Sequence, residues 1–217
     1  VIRERYGFAK LSASIPHTES QIVNASDLRH LVHADELGLA TLQSLPDVCI
    51  LITKPDEGEL EHWPIQELLQ QVWRRLFHAQ IDRQLTQKLQ HELRRADIQE
   101  RIAKIGQVEF DEAHFVLRSE LRLIDPMSRT EAWGEFVALY LELKRFEPDL
   151  LPVWFPSLAD RANVEATLGQ DVSAEELFHK TRLYGATSPD LTPHVVRDET
   201  RLVNTRRDWS LGVGVTP

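Results

Sequence analysis

The fold turns on one stretch, Pro64 to His91, which reads PIQELLQQVWRRLFHAQIDRQLTQKLQH. Proline is favourable at a first helical position, because the N–H it lacks would have no intrahelical partner there. Ile65, Leu68, Leu69, Val72 and Leu76 then recur at three- and four-residue spacing, the pattern of a buried helical stripe. Beyond Leu76 the apolar positions continue as Phe77, Ile81, Leu85 and Leu89, and at about 100° per residue this second set lies on a rotated face. A helix that changes its buried side along its length has to pack against several partners. The spacing therefore predicts a central helix over residues 64–91.

More helices follow. Residues 96–105 form a shorter one with Ile98, Ile102 and Ile105 inward and Gly106 as its C-terminal stop. Residues 108–124 form the next, carrying Phe110, Ala113, Val116, Leu117 and Leu121 until Asp125-Pro126 ends it. Ser128 with Glu131 makes a capping box for a helix whose residues from Trp133 to Phe146 are apolar on most sides, the expected most buried element. Residues 148–156 read as an aromatic loop, and two short helices near 161–168 and 173–183 complete the set, the second capped by Ser173 and Glu176.

Before the central helix, Ser26 and Asp27 resemble an N-cap, and a second short turn is expected from Asp35 to Leu45. Val48-Cys49-Ile50-Leu51-Ile52-Thr53, bounded by Pro46 and Pro55, is the best strand candidate. Its partner could come from the N-terminal segment or from around Leu202-Val203. The expected fold class is thus mainly α, an irregular helical bundle with one small β-element near residues 48–53. It divides into an extended N-terminal segment (1–25), a helical domain (26–186) and an extended C-terminal tail (187–217) without a long helix.

Composition bounds the function. The 217-residue chain is 42% hydrophobic and 27% charged, enough to close a core. Its net charge of −9 argues against nonspecific binding to nucleic acid or to an anionic membrane. Arg74, Arg75, Arg94 and Arg95 still define a basic stretch through which nucleic acid could bind as a lesser alternative. No apolar run reaches the ~18–20 residues that span a bilayer. The single Cys49 excludes an internal disulfide and suits a reducing, cytoplasmic setting. The chain opens on Val1 and contains only Met127, so a longer parent is expected.

Motifs for phosphate-cradling loops, nucleophile elbows and zinc sites are absent. The leading expectation is therefore a protein–protein interaction or scaffolding module with a protein partner and no cofactor. The alternative is a metal-dependent helical enzyme. His78 and Asp82 are four residues apart and Asp111 and His114 three apart, so each pair shares a helical face, and Glu109, Glu112, Glu120, Glu135 and Glu142 add carboxylates. Helical bundles that hold divalent metals use such pairs, though with Glu-x-x-His in two copies; here the one such spacing begins with Asp111. Cys49, among Val48, Ile50 and Leu51, reads as a core residue. Trp73 and Trp133 read as core, while Trp154 beside the prolines and Trp209 in the polar tail are candidates to meet a partner.

Overall fold

Trp73, Phe77, Ile81 and Leu85 follow one another at four-residue intervals and are all fully buried. They are the spine of the longest helix in the computed structural model, which describes residues 20–32, 43–52, 61–119 and 128–191. Among these the elements run β1 (Ser20–Asn24), α1 (Ala25–Leu31), β2 (Val48–Ile52), α2 (Ile65–His91), α3 (Arg95–Ile105), α4 (Gln107–Ser119), α5 (Arg129–Phe146), a 3-10 turn (Pro148–Leu150), α6 (Leu151–Trp154), α7 (Arg161–Leu168) and α8 (Ala174–Thr181). The mainly helical class is as the sequence implies.

The central placement of α2 holds. It packs against α5 and α8 and also against both strands. Neither apolar set is left in solvent: Phe77, Ile81 and Leu85 are fully buried, and Leu68, Val72 and Leu76 are half-buried. Ile65 departs from the expected stripe, being 65% exposed at the first position of the helix.

Helix α5 is the interior. From Ala132 to Gly134 and from Phe136 to Leu143 every residue is buried. Its start is fixed by the expected capping box: Ser128 Oγ accepts from the Glu131 N–H at 3.2 Å, and the Glu131 carboxylate accepts from the Ser128 N–H at 2.7 Å. Around α5 the aromatic rings interlock, with Phe136 edge-on to both Phe110 and Phe155. A second aromatic group joins α8 to α2, where Phe178 lies 4.4 Å from Trp73 between ring centroids. The Trp73 indole N–H is satisfied there by the Phe178 carbonyl at 3.1 Å and Thr181 Oγ1 at 3.2 Å.

Helices α3 and α4 are separated by Gly106 alone, whose φ of 121° is a conformation that glycine adopts and other residues avoid. This single residue turns the chain between two helices. Arg101 on α3 then reaches Asp171 with two hydrogen bonds, Nε at 2.5 Å and a terminal nitrogen at 2.8 Å, and Asp171 is only 2% exposed.

The strands pair antiparallel, from Ser20 opposite Ile52 to Asn24 opposite Val48. The N-terminal segment thus supplies the partner strand for 48–52. Ala25, Leu28 and Cys49 form a small separate core there, with Val23, Val32, Leu45 and Leu51 packed on it. The Cys49 thiol is buried and donates to the Pro46 carbonyl at 3.5 Å, as expected of a core cysteine.

Several local expectations are corrected. Helix α1 begins at Ala25, one residue before the expected Ser26–Asp27 cap, and Asp27 falls in its first turn. Most of the expected aromatic loop of 148–156 is helical: Pro148–Leu150 make the 3-10 turn and Leu151–Trp154 make α6, each with a proline in its first turn. Ser173 precedes α8 but its side chain makes no capping hydrogen bond, so the expected capping box is not formed. Most of the short turn expected over 35–45, the end of the helix expected over 108–124 with its Asp125-Pro126 stop, and the tail from 192 onward lie outside the described residues.

Candidate functional site

Two features stand out from this frame, and neither is the four-residue metal set.

The first is a charged seam where α2 meets α5. Arg74, His78 and Asp82 are four residues apart and share one side of α2. Facing them on α5 are Glu135 and Glu142, seven apart and so on one side of that helix. His78 Nδ1 lies 2.7 Å from a Glu142 oxygen, and its Nε2 lies 3.6 Å from Glu135. The other Glu142 oxygen is 3.4 Å from Arg74 Nε, and Arg74 also donates to Glu147 at 3.3 Å. Asp82 lies close to the α5 backbone: a methyl group added at Gly134 would sit 3.9 Å from Asp82 Oδ1.

Burial in this seam works against charge, and the carboxylates reverse it at His78. Desolvation alone would lower the imidazole pKa, but Glu135 and Glu142 outweigh it and raise it from 6.5 to about 10. With a carboxylate at each ring nitrogen, both nitrogens carry a proton and the ring is an imidazolium. Asp82 is pushed upward chiefly by desolvation, with Glu135 adding to the effect and His78 opposing it.

This arrangement reshapes the metal expectation for His78, Asp82, Asp111 and His114. The structure brings His78 and Asp82 into the seam with Glu135 and Glu142, where the two ring nitrogens each face a carboxylate. Asp111, by contrast, is 53% exposed at the surface and accepts from Gln107 at 2.8 Å and from Arg129 at 3.1 Å. His114 stacks against the Phe110 ring. Among the described residues no group of three or more His, Cys, Asp or Glu is disposed to hold a metal ion. The seam also changes the basic stretch, because Arg74 is directed to Glu142 and Glu147 and so is taken out of a surface shared with Arg75, Arg94 and Arg95.

The second feature is the outer face of α4. Its inner face buries Phe110, Ala113 and Leu117. On the other side Val108 is 67% exposed and Phe115 70% exposed. They are two turns apart and lie roughly 140–160° around the helix from Phe110 at 100° per residue. Asp111 and Glu112, both exposed, occupy the turn between them. Val108 and Phe115 fall outside the buried stripe of Phe110, Ala113 and Leu117, and helical spacing puts the two together on the opposite face.

The two tryptophans expected to meet a partner fare differently. Trp154 in α6 is half-buried and packs against the main core. Trp209 lies outside the described residues.

No family model, no curated protein and no solved structure matches the chain. Among the described residues no helix is long and apolar enough to cross a membrane.

Proposed function

We propose that this chain is a protein–protein interaction module, part of a larger protein or assembly, that presents α4 to its partner. The observation that carries the reading is the exposure of Val108 and Phe115 on a helix whose opposite face is buried in the core. Large apolar side chains grouped on one face mark an interaction surface more often than isolated ones do. An aromatic anchor such as Phe115 is a residue type enriched where binding energy concentrates. The helix beneath is held by Phe110 against Trp133 and Phe136, so the outer face is displayed on a rigid support. The lone buried thiol of Cys49 fits a cytoplasmic setting, where no disulfide is needed.

A photocrosslinking residue placed at position 115 tests this. It should yield a discrete adduct, and the protein in that adduct, once purified, should bind the wild-type chain but not the Val108→Asp/Phe115→Asp variant. A pattern of adducts identical to that from the exposed position 104, or a purified adduct protein that binds both chains equally, would sink the reading.

A further inference from the structure

Gln66, Gln70 and Trp73 are spaced four and three residues apart on one side of α2, and a stretch of backbone crosses them. The Gln66 side-chain amide grips that stretch at two points. Its Nε2 donates to the Gly185 carbonyl at 3.0 Å, and its Oε1 accepts from the Thr187 N–H at 3.0 Å. Gln70 Nε2 donates to Thr187 Oγ1 at 3.3 Å and lies 3.4 Å from the Thr187 carbonyl. Arg182 closes the stretch from the other end. It donates twice to the Ala186 carbonyl, at 3.0 and 2.7 Å, and its guanidinium lies 5.6 Å from the centroid of the Trp73 ring.

Residues 182–187 follow the end of α8 and are neither helix nor strand. Of the six only Ala186 is buried, and Tyr184 is fully exposed. A single methyl group and hydrogen bonds open to water thus hold this strap, and such segments open at lower free energy than the core. Beneath it the floor is apolar. A Leu69 methyl lies 3.9 Å from where a β-carbon on Gly185 would sit. Trp73 is sheltered by Phe146 and Phe178 on its other sides. Gln66 grips a carbonyl and an N–H two residues apart, groups that almost any extended peptide can present.

We propose that residues 182–187 are a releasable strap, and that the groove they fill along α2 and α8 binds an extended peptide of another protein. The strap itself shows what the groove accepts: a small apolar residue at the Ala186 position and an arginine four residues before it, over Trp73. Main-chain hydrogen bonds to Gln66 give such recognition its affinity, and the buried small side chain gives it selectivity. The strap competes from within the same chain, so a partner has to displace it. This groove is separate from the outer face of α4 and does not rest on that reading.

The experiment uses the whole chain and a synthetic peptide with the sequence of residues 182–187. In wild type, native-state hydrogen exchange should show the Thr187 amide exchanging through a local opening, at least about tenfold faster than the amides of α8. Ala186→Glu puts a charge where the methyl group is buried, so it unseats the strap and leaves Gln66, Gln70 and Trp73 in place. NMR titration should show the peptide binding this variant saturably, at least about tenfold more tightly than wild type, whose groove is filled. Adding Gln66→Ala should weaken that binding about tenfold, through the two hydrogen bonds lost. A peptide carrying Ala186→Glu should not bind.

A Thr187 amide that exchanges only in step with α8 would make the strap a fixed part of the core and overturn the proposal, whether or not Ala186→Glu folds. No saturable binding to the folded variant, or binding unchanged by Gln66→Ala, would overturn the groove as a peptide site. Light scattering that shows a wild-type dimer dissolved by Ala186→Glu would assign the groove to exchange of straps between two copies and overturn it as well.

Discussion

Both nitrogens of the His78 ring face a carboxylate, and that proton inventory governs how the α2–α5 contact answers to pH. The folded protein holds the His78 proton up to about pH 10, whereas the unfolded chain releases it near 6.5. A group whose pKa is raised on folding gives stability that is complete below the unfolded value and is lost as pH rises through the folded one. Asp82 is also raised, by desolvation first, so its contribution has the same sign but begins to fall at the lower pH where a free carboxyl titrates. Stability should therefore decline from about pH 6.5 toward 10, with Arg74, Asp82, Glu135 and Glu142 as the charges that surround the ring. Replacing His78 by Ala leaves Glu142 buried without its nearest cation, a loss of about 3–5 kcal/mol at neutral pH. Thermal or urea unfolding of wild type and His78→Ala across this range measures it: the difference between them should shrink as pH rises. A difference that stays constant to pH 10 would mean that the ring is not the group that titrates.

At the scale of single elements, the connection at Gly106 is the most exacting. A one-residue link between α3 and α4 requires φ of 121°, which a β-carbon disfavours. Gly106→Ala should cost about 1–3 kcal/mol in urea unfolding, and truncating the nearby side chain with Glu109→Ala should not restore it, because the strain is in the backbone. Recovery in the double variant would instead assign the cost to contact with Glu109. How far the elements were legible follows from whether their causes are local. Helices α2 and α5 could be read because a sustained apolar spacing and, for α5, the Ser128–Glu131 box lie within the segment itself. The short helix α6 lies inside the expected aromatic loop of 148–156: four residues are too few to show a helical spacing, and Pro148 and Pro152 stand in first turns, where proline is compatible with a helix. The seam was half legible: His78 and Asp82 share a face by spacing, but the group that binds the ring is Glu142, which only the packing of α2 on α5 brings within 2.7 Å. Whether His78–Asp82 meets Asp111–His114 depends in the same way on the packing between helices. Spacing orders residues on one helix and says nothing about which helix faces it.

For the whole molecule, the division of buried side chains sets how it comes apart. The main core runs from Trp73 on α2 through α3, α4 and α5 to Phe178 on α8. Ion pairs reinforce its C-terminal side, where Arg101 holds Asp171 and Lys144 meets Glu165 at 2.6 Å. The two-stranded sheet has a core of its own, in which Ala25, Leu28 and Cys49 are the buried members among the described residues. A two-stranded sheet is marginal by itself and depends on the helix it lies against, here α2. Opening the sheet exposes little apolar surface and leaves the aromatic core intact, so it should occur at a lower free energy than global unfolding. Native-state hydrogen exchange should then show the amides of Val48–Ile52 exchanging through a sub-global opening insensitive to Phe136→Ala. The amides of α5 should exchange only with global unfolding and become faster in that variant, by the roughly 3–5 kcal/mol that truncating a buried phenylalanine costs. If strand and α5 amides instead converge on one free energy and shift together, the small core is an integral part of the large one, and α2 joins the two into a single cooperative unit.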